Sequence, residues 1–322
     1  MAVTIKDVAN YANVGVGTVS RVLNGGSVNK TTRETVMKAM RELKFTPNVT
    51  AHRLRKNRTG VIAVLVPIIN HPFFSEFVER VEEAADKYGW SVLIVSSQQK
   101  LDKENGIIEK IRRKEIDGAI FVTHYKHDEK DLQGCPFVSI DRPLSKDIPY
   151  VTSNNYEATA EALEYLISKG CKKIGYIGSK PIVDSEVMQR EKAYLDTMAK
   201  HGFEPRIVND VIMHGEERGA VDKFFAAYPD VDGIFAAGYT MAQTTYGAAI
   251  EKGYSVPDCL QIIGYDGSFE KWGNIKSLTA VEQPISEMAK AVVDLLYGVI
   301  EGKQVTTRTS MKAKLVIGAT TK

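Results

Sequence analysis

Cysteine is scarce in this chain of 322 residues, with three in all, and their placement matters as much as their number. Cys135, Cys171 and Cys259 form no C-x-x-C pair and have no histidine at ligand spacing. That argues against a disulfide framework and a structural zinc, and for a reducing cytoplasm. Long apolar runs are missing too. The most apolar early stretch, GVIAVLVPII, is stopped by Asn70 and His71, well short of a membrane span. The N-terminal MAVTIKDVANYA carries charged and amide groups where an export signal needs an apolar core, so none is read. Catalytic signatures are equally thin. No Ser-His-Asp set or carboxylate pair can be recognised, and the GSK at 178–180 is not a phosphate loop. His124 and His127, spaced i, i+3, lack a third metal ligand. The sequence therefore predicts no enzyme, no cofactor, no metal site and no membrane partner.

What is present is a charge asymmetry. The net charge is only +2, yet residues 1–60 hold eleven Lys or Arg against three Asp or Glu, which is +8. The rest of the chain carries 31 basic and 37 acidic groups, which is −6. A basic block on an acidic body suits an anionic polymer as partner.

Within that block the periodicity is helical. Thr4-x-x-Asp7 has the form of a capping box, followed by an apolar face of Ile5, Val8, Ala9 and Ala12. Asn13 and Gly15 mark a tight turn; Val19, Val22 and Leu23 form a second face, stopped by Asn24-Gly25-Gly26. Thr31-x-x-Glu34 predicts the start of a third helix, with Val36, Met40 and Leu43 on one side. The glycines of NVGVGTVSRVLNGG could instead belong to a nucleotide-binding turn. That reading needs a preceding strand and a third glycine, whereas here a helix precedes and Ser20 occupies the third position. Helix, short turn, helix, loop, helix is the outline of a helix-turn-helix domain.

The segment TIKDVANYANVGVGTVSRVLNGGSVNKTTRETVMKAMRELKFTPNVTAHRLR resembles the DNA-binding domain of the lactose-repressor/galactose-repressor (LacI/GalR) family, most specifically in TVSRVLNG and PNVTAHRLR. The resemblance implies that the second helix enters the major groove of a pseudo-palindromic double-stranded operator. It makes Val16, Gly17 and Arg21 the base-facing set, Thr18 and Asn24 backbone anchors, and Thr4 and Arg33 further phosphate contacts. It also implies a hinge helix that follows Pro47 and Asn48 and is built around Ala51. This helix pairs with its copy in a dimer and wedges Leu54 into the minor groove. Two departures stand out: Gly15 replaces the usual capping serine, and Gly17 removes one reading side chain.

From Val61 onward short apolar runs (VIAVLVP, SVLIVSS, GAIFV, FVSID, KIGYIG, GIFAAG, QIIGYD) alternate with amphipathic stretches. That pattern predicts doubly wound parallel sheets. DRPLS…SNNYEATAEALEYLISKGCKKIGYIG, VPDCLQIIGYDG and SLTAVEQPISEMAKAVVDLL resemble the periplasmic-binding-protein-like core of the same family. The expected fold is thus an N-terminal all-α helix-turn-helix domain (1–46), a hinge and linker (47–59), and an α/β core of two doubly wound parallel-sheet subdomains (60–322). The N-subdomain is expected over about 60–155 and 285–312, the C-subdomain over about 156–284 and 313–322.

Ligands of such folds lie beyond the carboxyl ends of the strands. This ranks Asn70, Phe73, His124, Asp141, Gly238, Tyr239 and Asp266, and the resemblance adds Arg190. Aromatic faces with carboxylate and guanidinium forks suit a sugar or sugar phosphate. Phe73 reads equally as core, and Asp141 as a turn residue paired with Arg142. Many sugar-responsive relatives have Asn-Asp where this chain has Gly238-Tyr239, and REKA replaces the usual Arg-x-x-Gly. DRPLS followed by VTSNNY looks most like repressors of sucrose and fructoside operons. The face Phe74, Val78, Val81, Ala85 is expected to pack partly on the sheet and partly on a second subunit of a homodimer. The rival readings, a transport receptor or an enzyme with the same cleft, predict an export signal or a catalytic constellation.

Overall fold

The computed structural model describes residues 3–23, 26–45, 58–123, 125–212, 215–266 and 278–322. The chain divides into two compact units, Met1–Thr59 and Gly60–Lys322. In the first, α1 (Ile5–Tyr11), α2 (Val16–Leu23) and α3 (Lys30–Glu42) pack around Val8, Val19 and Val36, all fully buried. The capping box at Thr4 and Asp7 is formed. The third helix begins earlier than Thr31: Asn29 is its cap, and its side chain accepts from the Thr32 amide at 2.7 Å. An amide oxygen one residue before the helix satisfies the first free N–H groups as well as a hydroxyl would.

The second unit contains two six-stranded sheets. In chain order its elements are β1 (Val61–Val66), α4 (Pro72–Asp86), β2 (Ser91–Ser96), α5 (Leu101–Arg112), β3 (Gly118–Phe121), α6 (Glu129–Leu132), β4 (Phe137–Ile140) and β5 (Tyr150–Ser153). Then come α7 (Asn155–Ser168), β6 (Ile174–Ser179), α8 (Met188–His201), β7 (Arg206–Asp210), α9 (Glu217–Ala227), β8 (Gly233–Ala236), α10 (Tyr239–Glu251) and β9 (Gln261–Tyr265). The unit closes with β10 (Thr279–Glu282), α11 (Ile285–Ile300), β11 (Arg308–Met311) and β12 (Lys314–Val316). The first sheet runs β11-β5-β4-β3-β1-β2 and is parallel throughout; the second runs β12-β10-β9-β8-β6-β7, with only β12 antiparallel.

Central strands such as VIAVLV and QIIGY are buried on both faces, so they show unbroken apolar runs rather than alternation. Helices cover both sides of each sheet. Gly175 on β6 is required by one of these contacts, because a Cβ there would fall 2.1 Å from the Phe224 ring of α9. On α4, Val78, Val81 and Ala85 are buried within the chain, where the helix lies against the first sheet and α11, and Phe74 is partly buried against the same core.

The chain passes between the sheets three times: after β5, between β10 and α11, and between β11 and β12. These crossings lie side by side. The Asn154 amide donates to Met311 O at 2.8 Å, its side chain accepts from the Ala313 amide at 2.7 Å, and Glu282 pairs with Lys314.

Candidate functional site

The first unit presents one polar, glycine-containing helix surface. Asn13, in the left-handed region at φ 50, makes the turn into α2. Val19 and Val22 hold that helix inward, which leaves Val16, Gly17 and Arg21 exposed and Thr18 half-buried. A Cβ placed on Gly15 or Gly17 meets nothing within 4 Å, so packing inside the head does not require either glycine. Thr4 and Arg33 are engaged within the head. The Thr4 hydroxyl donates to Asp7 Oδ2 at 2.7 Å, and Arg33 Nη2 donates to the Gly26 carbonyl at 2.8 Å, bracing the α2–α3 connection. Asn24, Asn48, Ala51 and Leu54 lie outside the described residues, as does His124.

The second unit contains a cavity of about 280 Å3 between the two sheets. Phe73, Asp141, Arg190, Tyr239 and Asp266 all line it. Asn70 does not: it is exposed, and the neighbouring His71, which caps α4, takes the wall position. His71 meets Tyr239 of the opposite wall edge-on, with ring centroids 5.8 Å apart. Phe73 is buried on a stacked Phe77 ring 6.0 Å away and still contributes to the lining.

Arg190 is the pivot of the polar wall. It leaves the first turn of α8 almost fully buried, donates from Nε to Asn155 Oδ1 at 2.7 Å, and from Nη1 to the Ala237 carbonyl at 2.9 Å. Two carboxylates flank it. Asp141 follows β4 and Asp266 follows β9, both in the left-handed region at φ 60 and 64. Non-glycine residues held there cost about 1–3 kcal/mol each, a strain that concentrates at functional sites. Burial pushes both carboxyls up, against the pull of the Arg190 charge, and Asp266 reaches about 6. Asp141 accepts from Thr152 Oγ1 at 2.7 Å, and Asp266 from Gln283 Nε2 at 2.7 Å.

Three further polar residues belong to this wall: Arg142, which the sequence reading named only beside Asp141, and Gln283 and Asn155, which it did not single out. Arg142 is buried in the lining, and its Nη1 donates to the Tyr125 carbonyl at 2.8 Å while Nε has no hydrogen-bond partner among the described residues. Burial draws its pKa below the usual guanidinium value. Gln283 directly follows β10, whose sequence TAVE, with Thr279 and Glu282 at its ends, offers no apolar run. Asn155 is the anchor of Arg190. The resulting wall has guanidinium and amide donors beside carboxylate acceptors and faces phenyl and phenol rings. Such a surface can hold a polyhydroxylated guest by paired hydrogen bonds on one side and ring contact on the other.

Residues 4–48 match the family model for bacterial regulatory proteins of the lacI family, and residues 163–321 match the periplasmic binding protein-like domain. The ribose operon repressor of Halalkalibacterium halodurans is 34% identical over 99% of this chain and 97% of its own length. The sucrose operon repressor of Pediococcus pentosaceus is 30% identical over 98% of each chain. A solved complex of the transcriptional regulator CelR with cellobiose has 26% identity and a TM-score of 0.73, with 99% of both chains covered. Together with the head and the two-sheet core, these matches establish that the chain belongs to the LacI family of bacterial regulatory proteins.

Proposed function

We propose that this chain is a repressor of carbohydrate-utilisation genes that binds a pseudo-palindromic operator as a homodimer and is controlled by a sugar held between its two sheets. One observation carries the reading: a lacI-type helical head shares a chain with a cavity in which Arg190 stands between the buried carboxyls of Asp141 and Asp266. The +8 charge of residues 1–60 supplies the attraction to phosphates. Val16, Gly17 and Arg21 form the reading surface, and the hinge with Leu54 is the element that the effector state controls. A second copy is assigned to the free edge of the first sheet, where Leu93 and Ile94 of β2 are 37% and 45% exposed. The work is done on DNA in the cytoplasm, by binding rather than turnover.

The effector class follows from the relatives and the wall chemistry together. Relatives named ribose operon repressors share 34% and 30% identity with this chain, and the cavity has the forks and rings that a pentose needs. We therefore assign a ribose-like sugar ahead of sucrose. The test is selection of a duplex from random sequence, followed by titration with D-ribose, ribose 5-phosphate and sucrose. The expected result is one preferred palindromic duplex whose affinity falls steeply with added salt and changes at least about tenfold with D-ribose. Absence of any preferred duplex overturns the DNA reading; a response to sucrose alone overturns the pentose assignment.

A further inference from the structure

The segment joining β6 to α8 is gripped by the first sheet from two sides. Ser185 and Val187 line the cavity, while the Glu186 side chain between them makes its bonds elsewhere. Its carboxylate accepts from Arg308 Nε at 2.8 Å and Nη2 at 3.3 Å, and from the Tyr150 hydroxyl at 2.8 Å. Arg308 and Tyr150 are the first residues of β11 and β5, and they stand opposite each other in the strand pairing. Near the cavity the Asp141 carbonyl accepts from the Glu186 amide at 2.8 Å and from Ser185 Oγ at 3.0 Å. Two adjacent residues thus make five hydrogen bonds from the second layer to the first.

We propose that Glu186 is a positioning residue of the effector site. Held by Arg308 and Tyr150, it fixes the wall carrying Asp141 against the wall carrying Arg190 and so sets how readily the cavity opens. The proposal rests on the reading of this cavity as the effector site. Glu186 is not part of the lining; it acts through its neighbours, since Asp141 is bonded to its own amide and Arg190 follows four residues later in the first turn of α8. The grip is well made. Arg308 approaches with two nitrogens, the Glu186 side chain is only 18% exposed, and hydrogen bonding to Arg308 holds its carboxyl below the usual range. Bidentate, partly dried pairs of this kind outlast ordinary surface ion pairs. A protein whose cavity walls are held in register loses less freedom when a guest arrives, and the binding-competent population rises accordingly.

The test needs no ligand. Amide hydrogen exchange is measured on the full chain as wild type, Glu186→Gln, Arg308→Gln, and the charge swap Glu186→Arg with Arg308→Glu. The expected result is exchange of the 184–188 peptide that is faster by about tenfold or more in both single variants. The β4 and β6 peptides keep their protection, and the swap returns most of the lost protection. Three outcomes overturn the proposal: unchanged exchange at 184–188, faster exchange in every peptide together, or a swap as open as the single variants. A parallel D-ribose titration of the same four proteins reports on the effector reading separately. If D-ribose binds none of them, the sugar assignment fails while the exchange result stands.

Discussion

The Arg190 guanidinium carbon lies 3.4 Å from the centroid of the Tyr265 ring, and the Tyr265 hydroxyl is bonded to Ser153 Oγ at 2.9 Å. Ser153 ends β5 in the first sheet and Tyr265 ends β9 in the second, so the cation rests on a phenol tethered across the crossing. Stacking on one face and hydrogen bonds to Asn155 and Ala237 fix the plane of the guanidinium before any guest arrives.

Arg190→Lys keeps the charge but loses the planar fork and most of the stack. The expected cost is about 2–3 kcal/mol in effector affinity, roughly a 30- to 150-fold rise in Kd. Isothermal titration with the sugar that shifts operator binding provides the measurement. A lysine variant that binds as tightly as the parent removes Arg190 from the site.

Asp266 makes binding and stability depend on pH in opposite senses. Its folded carboxyl, at about 6, lies above the ordinary aspartate value near 3.8, so the native state holds the proton over a range where the unfolded chain has released it. The stabilisation from this group is present at low pH and is lost as pH rises through about 6. A guest that donates hydroxyl hydrogens to the ionised carboxylate should bind more weakly as pH falls below about 6. Asp266→Asn should flatten both profiles. Identical pH dependence in variant and parent would mean that another group titrates.

Gly17 offers a separation of folding from reading. With nothing within 4 Å of its missing Cβ, Gly17→Ala should stabilise α2 by up to about 1 kcal/mol. Operator affinity or sequence preference should nevertheless change, because the added methyl projects from the exposed surface assigned to the bases. Melting temperature and duplex selection read the two effects. A stabilised variant with unaltered preference places Gly17 outside the reading surface.

Leu54→Ala tests the wedge assigned to the hinge. The expected outcome is weaker operator binding and a smaller bend, by gel mobility of circularly permuted duplexes. A normal bend with the alanine refutes the wedge.

Legibility in the sequence followed burial. The three helices of the head could be read because each sets apolar residues on one side, with a cap or a glycine at its ends. Only the start of α3 was misplaced, because Asn29 and Thr31 are both competent caps. Strands buried on two faces announced themselves as apolar runs. Those missed, YVTS, RIVND, TAVE, RTSM and KLV, mix polar or charged residues with few apolar ones, and RIVND, RTSM and KLV lie at sheet edges where polar side chains face water. The site inherited this pattern. Asp141 and Asp266 follow conspicuous strands and were found, whereas Gln283 follows a strand that was not seen. Asn70 was chosen over His71 because position along a loop does not reveal which side chain turns inward.

The three crossings between the sheets carry a mechanical consequence. Three spans of chain lashed together by the Asn154 bonds and the Glu282–Lys314 pairing resist sliding and twisting far better than they resist folding along the line they share. On this reading the two halves of the core should swing like a door on a common row of pins. Any guest then reports to the rest of the protein through a single angle. Two sugars of different chemistry that stop the swing at the same angle should be indistinguishable to the operator.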